Sequence, residues 1–91
     1  MSKVQFENEY FKSEKNNDGS FVITILKDDQ NFYGVDMQGC KLITNSYGFI
    51  KDEFTEKALN NISAKCNTPE EIHLLKCELR NRQLNTLIQY L

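Results

Sequence analysis

One histidine and three cysteines are the side chains best suited to hold a transition metal in this chain. His73 and Cys77 are four positions apart, so on a helix both would project from the same side. Cys66 lies shortly before them, and Cys40 could approach from another element, giving the composition of a Cys3His zinc site. However, the chain has no Cys-x-x-Cys pair, and isolated cysteines are mostly small buried hydrophobic residues. We therefore expect reduced cysteines, no metal and no cofactor.

Acidic residues in turns are the second group that could do chemistry. Asp28 and Asp29 share one predicted turn and Asp36 ends the next predicted strand, so the three carboxylates could form a magnesium site. Acidic turns are usually only solvated, and no glycine-rich phosphate-binding loop accompanies them. A small metal- or ligand-binding subunit is therefore the weakest functional alternative. Because no catalytic motif occurs elsewhere, we predict that the protein is not an enzyme.

Basic residues of the C-terminal segment suggest nucleic-acid binding as another function. Lys76, Arg80 and Arg82 lie along one predicted helix, and aromatic side chains on a sheet could stack on bases. Those aromatic residues are flanked by carboxylates that would repel phosphate, and the net charge of the chain is -2. We therefore do not expect a nucleic-acid partner, and we keep a nucleic-acid-binding regulator that uses this basic helix as the first alternative.

The C-terminal quarter of the chain has a clear helix start signal at Thr68. Its hydroxyl can accept a hydrogen bond from the amide of Glu71, and the Glu71 carboxylate can return to the Thr68 amide. Pro69 stands at the first helical position, where an amide proton needs no partner. This pattern predicts a long helix over about residues 68–90.

The same helix carries two apolar stripes, although a small domain needs only one. The first stripe follows helical spacing near the helix start and contains Ile72, Leu75 and Leu79. The second, which we call the C-terminal stripe, is turned by roughly a third of a circle and contains Leu84, Leu87, Ile88 and Leu91. An exposed apolar stripe generally marks an interface, so we predict that this stripe, with Arg80 and Arg82, binds another chain. The competing interpretation is a wrapped or kinked helix that buries both stripes in one monomer.

Two kinds of partner would suit the C-terminal stripe. A second copy of the chain is the simpler one, because identical stripes related by a two-fold axis are self-complementary. The other is a target protein whose identity the sequence does not reveal. We therefore predict a protein partner, with a homodimer through the C-terminal helix as one form.

The elements before that helix alternate between apolar strands and polar turns. Residues 4–12, 21–26, 32–37 and 40–44 have strand patterns, and 21–26 is apolar on both faces, which favours a central position. Asp18-Gly19 is a strong hairpin signal before that strand. After residue 45 only helical spacing is evident, with Asp52 as a candidate cap. The sequence thus predicts an α+β fold: a three- or four-stranded antiparallel sheet (about 4–44), then two helices (about 52–66 and 68–90) packed on one face.

Length and composition limit the class of protein. Ninety-one residues predict a single domain over 1–91 that is too small for a deep catalytic pocket. No apolar run would span a membrane or serve as a secretion signal, so we expect a cytoplasmic protein with no membrane partner. Ten Asn and nine Lys against two Arg are typical of AT-rich coding. We predict a small binding protein acting by protein–protein interaction, for instance a phage or mobile-element inhibitor of a host enzyme or defence nuclease.

Overall fold

The computed structural model describes residues 3–45 and 47–90, with no side-chain description at 49 and 50. Five strands and two helices account for the regular structure of these residues. The strands are β1 (Lys3–Glu7), β2 (Phe11–Lys15), β3 (Phe21–Ile25), β4 (Lys41–Asn45) and β5 (Gly48–Glu53). The helices are α1 (Glu56–Lys65) and α2 (Pro69–Ile88). The predicted α+β class is therefore confirmed, with one or two strands more than expected.

The sheet is an antiparallel meander in which each strand pairs with its neighbour in the chain, in the order β1-β2-β3-β4-β5. The central position predicted for the apolar segment 21–26 is confirmed, because β3 is the middle strand. The predicted turn before it is also present: Gly19 has a φ of 87°, and the Asp18 carboxylate accepts the Ser20 amide proton at 2.9 Å.

The first predicted strand, residues 4–12, is wrong as a single element. Asn8 divides it, because its side-chain oxygen accepts hydrogen bonds from the amides of Tyr10 at 2.7 Å and Phe11 at 2.8 Å. Asparagine often closes a turn through such side-chain bonds to the backbone. The chain therefore reverses at residues 8–10, and the segment forms the β1–β2 hairpin.

The predicted strand at residues 32–37 is also wrong. A short 3-10 turn covers Phe32–Gly34, inside a long connection between β3 and β4. Gly34 has a φ of 72° in this turn. The strand that completes the sheet is β5, in a region where we expected no further strand. Its polar end, residues 51–53, reads equally well as the start of a helix.

Both predicted helices are present, with corrections at their first turns. Helix α1 is capped by Thr55 and not by Asp52: the Thr55 hydroxyl accepts the Ala58 amide proton. Helix α2 begins as predicted, with Thr68 accepting from the Glu71 amide at 3.1 Å. The Glu71 carboxylate, however, accepts from the Asn67 amide at 3.1 Å. Its acceptor therefore serves the amide of Asn67 and not, as predicted, the amide of Thr68.

The hydrophobic core lies between one face of the sheet and the two helices. Its sheet side includes Ile23 and Ile25, whereas Phe21 of the same strand is only half-buried. The helices contribute Ala58, Ile62, Leu79 and Leu87, and the β3–β4 connection contributes Val35, Met37 and Cys40. The prediction that the helices pack on one face is confirmed. Within residues 3–45 and 47–90, neither helix combines the length and apolar character needed to cross a membrane.

Candidate functional site

The C-terminal stripe is largely used by the core of the monomer. Leu87 is 6% exposed and belongs to the core, and Leu84 packs against it half-buried. Ile88 is 63% exposed, and Leu91 lies outside the described residues. Both halves of α2 thus contribute to the core, because the apolar residues drift around the helix as it crosses the sheet. This is the wrapped-helix interpretation of the two stripes, and it leaves Ile88 as the described stripe residue available to a partner.

Arg80 pairs with a carboxylate on the sheet. Its guanidinium Nη1 lies 3.4 Å from Oδ2 of Asp52, whose side chain is only 13% exposed. Burial raises the pKa of Asp52, and the charge of Arg80 opposes that rise. Oδ1 of Asp52 is buried and has no hydrogen-bond partner within the described part of the chain. Arg80 therefore connects α2 to β5. Because its guanidinium is engaged there, Arg80 is poorly placed to contact a partner.

Arg80 and Arg82 lie on different sides of the core-facing stripe of α2. Arg82 forms a surface cluster with three partners. Its Nε donates to Oε1 of Glu78 at 3.1 Å, and its Nη2 donates to the hydroxyl of Tyr33 at 3.4 Å. The Tyr33 hydroxyl in turn donates to Oε1 of Glu78 at 3.0 Å. The guanidinium also lies 5.8 Å from the ring centre of Phe32 and 5.9 Å from that of Tyr33. The Tyr33 and Glu78 contacts raise the pKa of Arg82, so the cluster holds a permanent cation.

Backbone strain accompanies this cluster. Asn31 and Tyr33 have φ angles of 47° and 56°. Asparagine visits this left-handed region as a single residue, whereas for Tyr33 the region costs roughly 1–2 kcal/mol. The carboxylate of Asp28 ties the loop down: one oxygen accepts the Asn31 amide proton at 3.1 Å and the other accepts that of Met37 at 2.8 Å. The loop is therefore held in one strained conformation against α2. Strain of this kind is concentrated at functional sites.

A small open cleft of about 60 Å³ lies beside this loop, between the β1–β2 turn and the end of α2. Its lining residues are Tyr10, Phe11, Lys27, Asp28, Asp29, Gln30, Gln83, Thr86 and Tyr90. The rings of Tyr10 and Tyr90, which both line the cleft, stack on each other with centres 5.4 Å apart. Gln83 is 3% exposed and forms the floor. We call residues 27–34 and 78–90 together the loop–helix surface, and the cleft forms one end of it.

The carboxylates proposed for magnesium have other roles. Asp28 accepts the two backbone amides described above, and Asp36 accepts the Gln38 amide proton and an ion pair from Lys57 at 3.0 Å. Both contacts lower the pKa of Asp36, the Gln38 bond more strongly. Asp29 lies 3.7 Å from the Lys27 ammonium. The three carboxylates are engaged in turns and ion pairs, and they are not arranged around a common point where a metal ion could bind.

The residues proposed for zinc are also dispersed. His73 Nε2 lies 3.7 Å from the sulfur of Cys77 on one exposed side of α2. Cys40 is buried in the core, where its sulfur accepts the amide proton of Thr55, and burial raises the pKa of its thiol. All three cysteines are free. Over residues 3–45 and 47–90, no three histidine, cysteine or acidic side chains are grouped to hold a metal ion.

Sequence reasoning identified Arg82 but missed its partners. Glu78 is four residues before Arg82, a spacing that indicates an ion pair on a helix and could have been used. Tyr33 carried no such signal, because its segment was assigned to a strand. Gln83 was overlooked because a polar residue in a helix is normally exposed.

Comparisons with protein-family models, with curated proteins and with solved structures found no match for this chain.

Proposed function

We propose that this chain is a small non-enzymatic binding protein that acts by occupying the surface of another protein, and that the loop–helix surface makes the contact. The observation that carries this proposal is the surface cluster of Tyr33, Glu78 and Arg82, in which Tyr33 has a strained backbone and the other two belong to α2. Nothing in the packing of the core requires a tyrosine with a positive φ at this position, because Tyr33 is 47% exposed.

The composition of the surface suits a protein partner. Tyrosine and arginine are the residue types enriched among the contacts that dominate protein–protein binding energies. Here Tyr33 and Tyr90 are about half-exposed and Arg82 is exposed, and Ile88 adds an apolar side chain on the same half of α2. Aromatic side chains around a few paired charges are typical of the central part of an interface.

The rigidity of the cluster also favours binding. A free arginine loses rotamer freedom when a partner immobilises it, which reduces affinity. Arg82 is already fixed by Glu78 and by the Tyr33 hydroxyl, so a partner that contacts it would pay little of this cost. A preorganised arginine and tyrosine pair can therefore contribute strongly even to a small interface.

For the biological role, we propose an inhibitor or adaptor carried by a phage or mobile element and acting in the cytoplasm on a host enzyme or defence nuclease. Three features support this: the small size, the absence of a recognisable catalytic motif in the sequence, and the Asn- and Lys-rich composition of AT-rich coding. Free cysteines suit a reducing compartment.

A protein partner is favoured over nucleic acid by the contacts of the two arginines. Nucleic-acid binding needs basic side chains that are free to neutralise phosphate charges and so release the cations condensed on the nucleic acid. Arg80 is paired with Asp52, and Arg82 is paired with Glu78. A phosphate would have to displace a carboxylate at both positions. The nucleic-acid regulator therefore stays the alternative that the test below can also detect.

The proposal is tested by affinity capture from bacterial lysate, followed by direct binding measurements with the purified captured protein. Arg82→Glu reverses the charge at the centre of the surface and places it beside Glu78. We expect it to weaken binding by at least about tenfold, as for a central interface residue. Lys51→Glu is the matched control, since Lys51 is on β5 and pairs with Glu53 at the other edge of the sheet.

Equal binding by wild type and Arg82→Glu would contradict a role for this surface. If the chain instead captured nucleic acid and bound it tightly at physiological salt, the nucleic-acid-binding regulator would replace the protein-binding proposal. Circular dichroism of each variant establishes that the fold is intact.

A further inference from the structure

The cleft beside the strained loop already contains one cation, supplied by the protein itself. The ammonium of Lys27 lies 2.9 Å from Oε1 of Glu9, 3.7 Å from Oδ2 of Asp29 and 5.9 Å from the ring centre of Tyr10. Two carboxylates and an aromatic face are the groups that stabilise an ammonium ion. Because Lys27 is about half-exposed on a flexible stem, another ammonium could take its place.

The charge around the cleft is negative even with Lys27 present. Glu9, Asp28 and Asp29 provide three carboxylates against one ammonium. Asp28 adds its charge without being available as a ligand, because both of its oxygens accept backbone amide protons. A cationic ligand is therefore favoured and an anionic one is repelled.

The floor of the cleft supplies a second, independent feature. Gln83 is 3% exposed, and its Nε2 is buried without a hydrogen-bond partner within residues 3–45 and 47–90. Such buried donors are rare, because a group removed from water normally regains its hydrogen bonds inside the protein. A ligand oxygen at the base of the cleft, reached by rotation of the Gln83 side chain, would provide the missing acceptor.

The walls between these two features are suited to a small organic molecule. Phe11 and the stacked pair Tyr10 and Tyr90 offer apolar surface. The Thr86 hydroxyl donates its proton to the carbonyl of Arg82, which leaves its oxygen as an acceptor toward the cleft. At about 60 Å³ the open cleft is smaller than a usual small-ligand site, so it would enclose only the ammonium end of such a molecule.

We propose that this cleft binds a small organic ammonium that also carries a neutral acceptor oxygen. The ammonium displaces Lys27 beside Asp29 and Tyr10, and the oxygen accepts a hydrogen bond from the Gln83 amide. An amino sugar and the free amino terminus of a peptide, with its first carbonyl, both have this chemistry. This site lies at one end of the loop–helix surface, next to the cluster around Arg82. Binding of a small ammonium there is measured on the chain alone, so it can succeed or fail whether or not the surface also binds a protein.

Titrations followed by two-dimensional NMR of the full chain test the proposal, with glucosamine and alaninamide as probes for the two sources. We expect millimolar binding, with amide shifts at Tyr10, Lys27, Asp29 and Gln83. N-acetylglucosamine and N-acetylalaninamide lack the positive charge and should not bind. Stronger binding of glucosamine identifies a sugar ligand, and stronger binding of alaninamide identifies a peptide amino terminus.

Variants separate the two contacts. Lys27→Met removes the internal competitor and should tighten probe binding by about threefold to tenfold, whereas Asp29→Asn should weaken it by a similar factor. Lys51→Met removes the same charge at a remote position and should leave the affinity unchanged. Gln83→Met preserves the volume of the floor. It should weaken alaninamide and glucosamine but not ethylamine, which has no acceptor oxygen.

Absence of cleft shifts with either probe at millimolar concentration would overturn the proposal. The proposal would also be overturned if Lys27→Met bound the probes no more tightly than Lys51→Met does. The probe ammonium would then not occupy the place of the Lys27 ammonium. An equal loss of ethylamine and alaninamide binding in Gln83→Met would refute the role of the Gln83 amide.

Discussion

At the scale of single residues, Asp52 shows how a polar group can weaken a fold while it organises it. Its carboxylate faces the helices from β5, opposite Leu42 on β4, and one oxygen has no partner in the described part of the chain. Arg80 compensates only partly, because desolvation is the largest influence on the pKa of Asp52 and raises it. The pair is therefore better understood as fixing the position of α2 on the sheet than as a source of stability.

Asp52→Asn should change how stability depends on pH. Because the pKa of Asp52 is raised above 3.8 in the folded state, the folded protein binds this proton more tightly than the unfolded chain. The wild type therefore loses unfolding free energy as the pH rises from that ordinary value through the raised one. The variant does not titrate there, so its stability relative to wild type should increase with pH over this window.

Urea unfolding over an acidic-to-neutral pH series measures that difference. Asp36→Asn serves as the control of opposite sign, because the Gln38 and Lys57 contacts lower the pKa of Asp36. Its stability relative to wild type should fall as the pH rises from the lowered pKa to the ordinary one. A pH-independent difference for Asp52→Asn would show that Arg80 fully offsets the desolvation.

Among the elements, the sequence predicted those that depend on nearby residues. It did not predict those that depend on contacts with distant parts of the chain. The Asp18-Gly19 turn, the apolar β3 and the Thr68 cap depend on neighbours within a few residues, and all three were predicted. Strand β5 depends on pairing with β4, and its polar end gives no alternation of its own. The segment 32–37 has a strand-like composition, but contacts with α2 hold it in another conformation.

Thr68→Ala is the substitution that tests the predicted cap. It removes the acceptor of the Glu71 amide and should lower the free energy of unfolding by about 1 kcal/mol, as measured by urea denaturation. Thr86→Ala is the matched control within the same helix, where alanine has the better helix propensity. Its hydroxyl only donates to the Arg82 carbonyl, so we expect its loss to cost less. Equal effects of the two changes would argue against the cap.

The candidate site was only partly predictable for the same reason. Arg82 follows from its charge on a helix, and Ile88 follows from the apolar spacing. The aromatic partners of Arg82, Phe32 and Tyr33, come from a loop more than forty residues earlier, and no local pattern connects them to it. Gln83 is buried at a place where residues 27–30 and the β1–β2 turn come together, which its own sequence neighbours do not reveal. Sites assembled from distant segments require the fold before they can be recognised.

At the scale of the whole molecule, the question is whether α2 serves the monomer or an assembly. Leu87 lies in the monomer core, so a charge at this position would be buried in any oligomeric state. Ile88 is adjacent in sequence but exposed, so a charge there would face solvent in the monomer. A comparison of substitutions at Leu87 and Ile88 therefore distinguishes an effect on folding from an effect on self-association. A substitution at Leu87 alone would not distinguish them.

Leu87→Glu should lower the free energy of unfolding on the order of 3–4 kcal/mol by burying a charge. Ile88→Glu should leave it within about 0.5 kcal/mol. Sedimentation equilibrium of Ile88→Glu then tests the predicted homodimer. If wild type is a dimer through this stripe, the variant should be monomeric with an unchanged circular dichroism spectrum. A dimer of undiminished affinity in Ile88→Glu would exclude this stripe as the interface.

The meander order of the sheet also has a kinetic meaning. Every strand pairs with the next one, so hairpins can form from local contacts as soon as the chain emerges, and such topologies fold quickly. The connection at residues 26–40 is the long one, and its loop rests on α2, the last helix to be synthesised. A nascent chain can thus complete its strands while still lacking the surface around Arg82. The proposed binding surface would therefore be completed only when α2 has folded, so an unfinished chain would not yet present it.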